Sequence, residues 1–535
     1  MTATAGNAGA QVKAPYNQWI VALTVTLATF MEVLDTSIAN VALPYIAGGL
    51  SVGRSQSTWV LTSYLVANAI VLPLSGWLIG LFGRKRFYMS CVLLFTISSA
   101  LCGAAPNIGF LIFFRVLQGL AGGGLQPSEQ GILVDRFPKA QLGMAMAIYG
   151  VAVVVAPILG PVLGGYISDN YSWRWIFYIN IPVGILSLIM THFIVQDPPG
   201  MDEEVKANWK RGIKIDYIGL ILVSVGLGAL EVLYAKGQEW DWFGDPWWRV
   251  QICFVTMVIG LTSFVIWELR HPNPMINFRL LKEPNFLACG LIMYMAFAVL
   301  YGANVDTPQM LQELFGYDAF RAGLILSPSA IATMVMMPVV GFLLGKRIDA
   351  RFIVPVGLLC VAGSCYWQAH LDLYTSSTMF VMPRFLQMAG VGMLFVPLNN
   401  AAYQYLPKDQ INNATGIFNM LRNEGGSLGI AIVTVMVDRR AQFHHLRLAE
   451  QVRPSVPAVN RWLDYYSQND MAREGVSKVV GEQQAMGQLG AMVQSQAREM
   501  AYLDVFTIFC FMALAAVPLV FLMKKTAGKS SVSAH

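Results

Sequence analysis

Apolar runs of about eighteen residues or more recur along this chain, each bounded by a short polar or charged connector. Fourteen lie near residues 18–40, 58–80, 88–105, 110–133, 142–165, 175–195, 216–235, 248–268, 286–309, 322–345, 352–370, 378–405, 413–437 and 501–523. As helices rising about 1.5 Å per residue, such runs cross a hydrocarbon layer about 30 Å thick. The pattern predicts an all-α polytopic membrane protein. One connector is long: residues 438–500 mix polar positions with Trp462, Leu463, Tyr465 and Tyr466, which predicts short amphipathic helices outside the membrane.

The pattern also repeats. Pro73-Leu74-Ser75-Gly76-Trp77-Leu78-Ile79-Gly80 recurs as Pro338-Val339-Val340-Gly341-Phe342-Leu343-Leu344-Gly345, an offset of 265 residues. Gly160-Pro161 and Gly164 recur as Gly425-Gly426 and Gly429, and Arg115-Val116-Leu117-Gln118 as Arg384-Phe385-Leu386-Gln387. The repeated residues keep one direction, so the two halves are parallel. Halves of this kind hold a binding site at their interface and rock against one another. Runs 7 and 8 interrupt the repeat and look inserted. The expected organisation is a tail (1–17), a six-helix half (18–195), two inserted spans with flanking loops (196–284), a second six-helix half that includes segment 438–500 (285–525), and a tail (526–535).

Composition agrees with this class: 56 % of residues are hydrophobic and 13 % charged, against about 25 % charged in soluble domains. The net charge of +5 then reports topology and gives no reason to expect nucleic acid. With the N-terminus inside, twenty basic residues fall on the inner side: Lys13, Arg84, Lys85, Arg86, Arg136, Lys139, Lys206, Lys210, Arg211, Lys214, Arg270, Arg279, Lys282, Lys346, Arg347, Arg351, Lys408, Lys524, Lys525 and Lys529. The short outer loops hold five: Arg54, Arg174, Lys236, Arg249 and Arg321. That bias places both termini in the cytoplasm. All seven cysteines lie in apolar runs, with neither disulfide nor metal-ligand spacing, and His444 and His445 read as solvated. The first run is too long for a cleavable signal core.

Charges inside the runs carry the candidate chemistry. Asp35 ends the first run, where an ionised carboxylate is costly and is kept for a purpose. A proton carrier is one such purpose; reaching headgroup water is the other reading. Glu32 shares its helix face three residues earlier. Arg115 needs a counter-charge, and Asp35 is available. Glu129, further along the same run, is either a second relay group or an acid that reaches water. In the second half Asp306, Arg384, Arg422 and Glu424 are candidate lining groups of a substrate cavity, and Arg422 and Glu424, two apart, need separate partners.

Two glycine-rich stretches suggest moving parts. Gly76 to Arg86, with Gly83 and Arg84, reverses the chain between runs 2 and 3 and carries a basic trio. Run 5 places Ala152, Ala156, Gly160 and Gly164 at four-residue spacing, followed by Gly165, while Pro157 and Pro161 weaken its hydrogen bonding. Tight packing is one reading of this run and a gating helix the other. No phosphate loop, zinc motif or nucleophile elbow is present in a plausible context, so no enzymatic chemistry is expected.

Together these residues resemble the major facilitator superfamily, most closely its fourteen-span drug:proton antiporters of the EmrB/QacA type. Leu34 to Pro44 looks like the first-span signature, Gly76 to Arg86 the loop after span 2, Arg115 to Gly119 the span-4 arginine motif, and Gly160 to Gly165 the antiporter motif; Trp173 to Gly184 is also typical of this branch. Gly80 stands where the family usually has an acid, and Ala147 and Ala156 where it has glycines. The resemblance implies the major facilitator fold, two parallel six-helix halves plus two inserted helices. It implies proton-coupled export of amphipathic drugs or other organic compounds across a bacterial inner membrane by alternating access, without a cofactor or metal. Asp35, Glu32, Arg115 and Glu129 would couple protons. Gly76, Gly83, Arg84, Gly160, Pro161, Gly164 and Gly165 would serve the conformational change. It further implies a periplasmic adaptor (membrane fusion protein) and an outer-membrane channel as partners, with segment 438–500 as a docking element. A dedicated exporter of one metabolite, such as an amino acid or siderophore, is the alternative, and a transporter-like sensor a more distant one.

Overall fold

A computed structural model describes residues 17–525 apart from 199, 211–215, 245, 273, 347, 373–374, 408–409 and 454. The tails, and Lys13, Arg211, Lys214, Arg347, Lys408 and Lys529 of the charge bias, lie outside the described residues. The first half comprises α1 (Gln18–Gly49), α2 (Trp59–Phe82), α3 (Arg84–Gly103), α4 (Ile108–Arg136), α5 (Lys139–Asn170) and α6 (Asn180–Ile194), the last entered through a helical turn at Trp175–Tyr178. Two further helices follow, α7 (Tyr217–Lys236) and α8 (Arg249–Arg270). The second half comprises α9 (Pro284–Phe315), α10 (Ala330–Gly345), α11 (Ala350–Gln368), α12 (Ser377–Tyr403), α13 (Ile411–Ala449) and α14 (Lys478–Ala516). No strand occurs among the described residues.

Thirteen described helical segments are long and apolar enough to cross a membrane, one fewer than the fourteen apolar runs. The missing one is α13. Its membrane stretch holds Asn412, Asn413, Asn419, Arg422, Asn423 and Glu424, which lower its hydropathy, yet it runs through the bundle against α2, α9 and α14. Its polarity is turned inward, toward the other helices.

The packing repeats as the sequence does. In the first half α1 lies on α5, α2 on α4, α3 on α4 and α3 on α6; in the second α9 lies on α13, α10 on α12, α11 on α12 and α11 on α14. The halves meet along two equivalent seams, α5 with α10 and α2 with α13. Helix α7 fills the space beside α2 and α13, while α8 packs mainly on α7 and faces outward over most of its length.

Segment 438–500 departs from the expected short helices. Between Gly429 and Pro454 no glycine or proline interrupts the chain, so α13 runs on to Ala449. A helix at Pro457–Glu474, closed by Gly475 in the left-handed conformation, folds back on the first part of α14. His444 is buried there against the carboxylate of Asp504 at 2.7 Å, so only His445 of the pair is exposed.

Candidate functional site

The site is built where α1, α4 and α6 cross. Asp35 is buried, and its Oδ2 accepts from Arg115 Nη1 at 2.5 Å in a fully enclosed ion pair. Its Oδ1 accepts from Gln118 Nε2 at 3.1 Å and from Asn180 Nδ2 at 2.6 Å. Arg115 is held in turn: Nε donates to the Val60 carbonyl at 3.0 Å, Nη1 also donates to Gln118 Oε1 at 2.8 Å, and the guanidinium lies 4.4 Å from the centre of the Tyr64 ring. Further hydrogen bonds offset the cost of burying such a pair, and Arg115 Nη2 is left without one among the described residues. Asn180 supplies one of them and also donates to Ser99 Oγ at 3.0 Å, which fastens α3 and α6 to the carboxylate. The acid does not reach water here.

Glu32, one helical turn earlier, has a different set of partners. Gln126 Nε2 donates to it at 2.8 Å, Asn68 Nδ2 at 3.2 Å and Tyr64 Oη at 3.4 Å. From Gln126 the polar contacts continue into the second half, because Tyr149 Oη donates to Gln126 Oε1 at 3.5 Å and accepts from Arg422 Nη1 at 2.8 Å. Arg422 thus finds its partner across the interface, as the spacing from Glu424 requires. Glu129 is buried and accepts from Thr26 Oγ1 at 2.7 Å and from Thr29 Oγ1, both on α1, so it too is withheld from water.

The second half carries a copy of the clamp with one change. Arg384 Nη1 donates to Gln387 Oε1 at 2.5 Å, and its Nη2 meets Asn304 Oδ1. Asn304, Arg384 and Gln387 follow Asp35, Arg115 and Gln118 at a common offset, so an amide replaces the titratable carboxyl. Asp306, two residues on, is buried with neither oxygen hydrogen-bonded among the described residues. Glu424 is likewise buried without a hydrogen-bond donor among them.

The glycine stretches lie at contacts between helices. A side chain at Gly160 would come within 2.0 Å of Ser37 Oγ, and one at Gly164 within 3.2 Å of the Ile38 carbonyl, so these residues set the closeness of α1 and α5. Pro161 and Gly165 face the second half, Pro161 against Gly323 and Gly165 against Phe320. Gly76 meets Asn412 and Asn413 of α13. Gly83, at φ +83°, ends α2 in a conformation that disfavours side chains, and Arg84 follows it directly. Arg84 pairs with Asp135 of α4, donates to the Gly131 carbonyl at 2.8 Å and reaches Asn412 across the seam. Asp135 therefore supplies a carboxylate near the loop in which Gly80 replaces the family's acid.

Several site residues escaped the sequence reading. Asn180 stands alone among apolar neighbours in Trp173–Gly184, and Gln118, Gln126, Asn68 and Tyr149 are uncharged polar groups within apolar runs. Glu231, an acid toward the end of run 7, carried the same signal as Asp35.

Comparison with known proteins places this geometry. The model of the Major Facilitator Superfamily matches residues 25–430. The chain is 36 % identical over 514 residues to the multidrug export protein EmrB of Escherichia coli, covering 95 % of this chain and 96 % of that one. It is 35 % identical over 508 residues to the fatty acid resistance protein FarB of Neisseria gonorrhoeae, covering 94 % and 96 %. Among solved structures, the human organic anion transporter MFSD10 (TETRAN) shares the fold, with a TM-score of 0.58 at 12 % identity over 93 % of this chain and 100 % of that one. The chain belongs to the major facilitator superfamily, within its EmrB type.

Proposed function

We propose that the protein exports amphipathic organic compounds in exchange for protons, with Asp35 as the proton carrier and Arg115 as its charge partner. One observation carries the reading: a fully enclosed carboxyl–guanidinium pair at the crossing of three helices, whose acid end is replaced by Asn304 in the repeat. Protonation of Asp35 removes the charge that holds Arg115, so the contacts of α1 with α4 and α6 are weaker in the protonated state. Helix α1 also touches α5 through Ser37 and Gly160, and α5 forms one seam between the halves. That route takes a proton event to the interface whose rocking moves substrate.

The names of the relatives support the substrate class, since they include a multidrug exporter and a fatty acid resistance protein. The excess of basic residues on the face that bears Arg84, Arg136 and Lys524 supports cytoplasmic termini in a bacterial inner membrane. The helical projection formed by the end of α13, the Pro457–Glu474 helix and the start of α14 supports docking of a periplasmic adaptor that leads to an outer-membrane channel. The test uses inverted vesicles acidified by respiration. Addition of an exported compound releases protons from vesicles that hold the protein and from no control vesicles; absence of that release contradicts the reading.

A further inference from the structure

We propose that Glu231 and Glu424 form a binding subsite for lipophilic organic cations, built between the inserted helix α7 and helix α13 of the second half. The proposal rests on the multidrug-export reading and names one class of substrate for it.

Both carboxyls are more than nine-tenths buried, at 3 % and 6 % exposure. Ser427 Oγ of α13 donates to Glu231 Oε1 of α7 at 2.9 Å. Glu424 precedes Ser427 by three residues and therefore lies on the same face of α13, turned toward α7. Neither oxygen of Glu424 has a hydrogen-bond donor among the described residues. The basic side chains nearby in sequence are engaged elsewhere: Lys236 with Ser55, Thr58 and Glu239, and Arg422 with Tyr149. Two buried carboxyls served by one hydroxyl lack the counter-charge that such burial demands.

A ligand can supply it. Tyr234 of α7 and Tyr294 of α9, each half-buried, lie close to each other and beside the pair. Their ring faces suit a diffuse organic cation, which a π-system attracts without replacing a hydration shell. A hard metal ion would want six or more oxygen ligands, and no group of three metal-binding side chains occurs among the described residues. The first-half counterpart of Glu424 at the repeat offset is Leu159, so the subsite exists only where α7 joins the bundle.

Titration calorimetry on the purified full-length protein, with tetraphenylphosphonium as probe, tests this. Glu231→Gln and Glu424→Gln are each expected to weaken its binding about tenfold or more, while an uncharged lipophilic compound changes by less than about twofold. Glu231→Asp and Glu424→Asp, which keep the charge, retain most of the affinity. Unchanged tetraphenylphosphonium binding in both Gln variants overturns the proposal. So does an equal loss for charged and uncharged compounds, or a full loss in the Asp variants. Asp35→Asn is the control that separates the two readings: it keeps tetraphenylphosphonium binding while stopping proton-driven export. A wild-type protein that binds the cation but exports nothing would count against export alone.

Discussion

Ser37 Oγ of α1 donates a hydrogen bond to the carbonyl oxygen of Pro157 in α5 at 2.9 Å. That carbonyl is free because Pro161, four residues on, has no N–H to offer it. The glycine between them, Gly160, leaves the space into which Ser37 fits. The antiporter motif thus works as a socket on α5 for a residue two positions from the proton carrier.

Substitution there separates packing from hydrogen bonding. Ser37→Ala leaves the Pro157 carbonyl unpaired and should cost about 1–2 kcal/mol of stability, read as a lower unfolding temperature in detergent. Gly160→Val should stop transport altogether, because α1 and α5 must part to admit the side chain. Full export by Gly160→Val in vesicles would remove the socket from the mechanism.

Arg115→Met should be among the most damaging changes in the protein. It leaves Asp35 as a buried acid without a counter-charge, a loss of about 3–5 kcal/mol for breaking one side of such a pair. The double change Asp35→Asn with Arg115→Met should recover most of that stability but no proton coupling. Thermal unfolding of both variants beside the wild type checks the order.

Asn180→Ala tests a residue that geometry alone assigns. Loss of its hydrogen bonds to Asp35 and Ser99 should leave a folded protein whose gradient-driven export is slower by about tenfold, since a charge-assisted bond contributes about 1.5–3 kcal/mol. Asn180→Asp places a second acid beside Asp35 and should be more harmful than alanine. Rates equal to wild type in both would show that the ion pair needs no orienting partner.

What the sequence allowed and what it withheld follow one physical line. Long apolar runs, a 265-residue repeat and charges inside helices are one-dimensional signals, and they led to the halves, the insertion and Asp35 with Arg115. Amides and hydroxyls such as Asn180, Gln126 and Tyr149 carry no such mark, because their importance lies in which helix they face. Helix α13 shows the opposite limit: polar groups turned inward lowered its hydropathy without removing it from the bundle. The projection after α13 was expected as short helices because its composition is mixed, whereas the lack of any breaker let α13 continue to Ala449.

That projection offers its own test. Phe443, Leu446, Tyr465, Val479 and Met486 are large apolar side chains left exposed on it. Deleting the hairpin around Pro457–Glu474, closed by a short glycine-serine linker, should impair resistance in cells that contain the adaptor and leave transport by reconstituted protein unchanged. Cysteines at Tyr465 or Val479 should cross-link to the co-expressed adaptor. Full resistance after the deletion, with no cross-link, would mark the projection as dispensable.

The central claim is that Asp35 carries the coupled proton, and the most direct measurement is substrate-driven proton movement by Asp35→Asn in proteoliposomes. The asparagine keeps the size of the side chain but leaves Arg115 without its counter-charge and turns an N–H toward partners that all donate, so folding and substrate binding of the purified variant are measured alongside. The account predicts no proton release on substrate addition and no concentrative uptake under an imposed pH gradient. Proton release at the wild-type rate, with uptake still following the gradient, would contradict it.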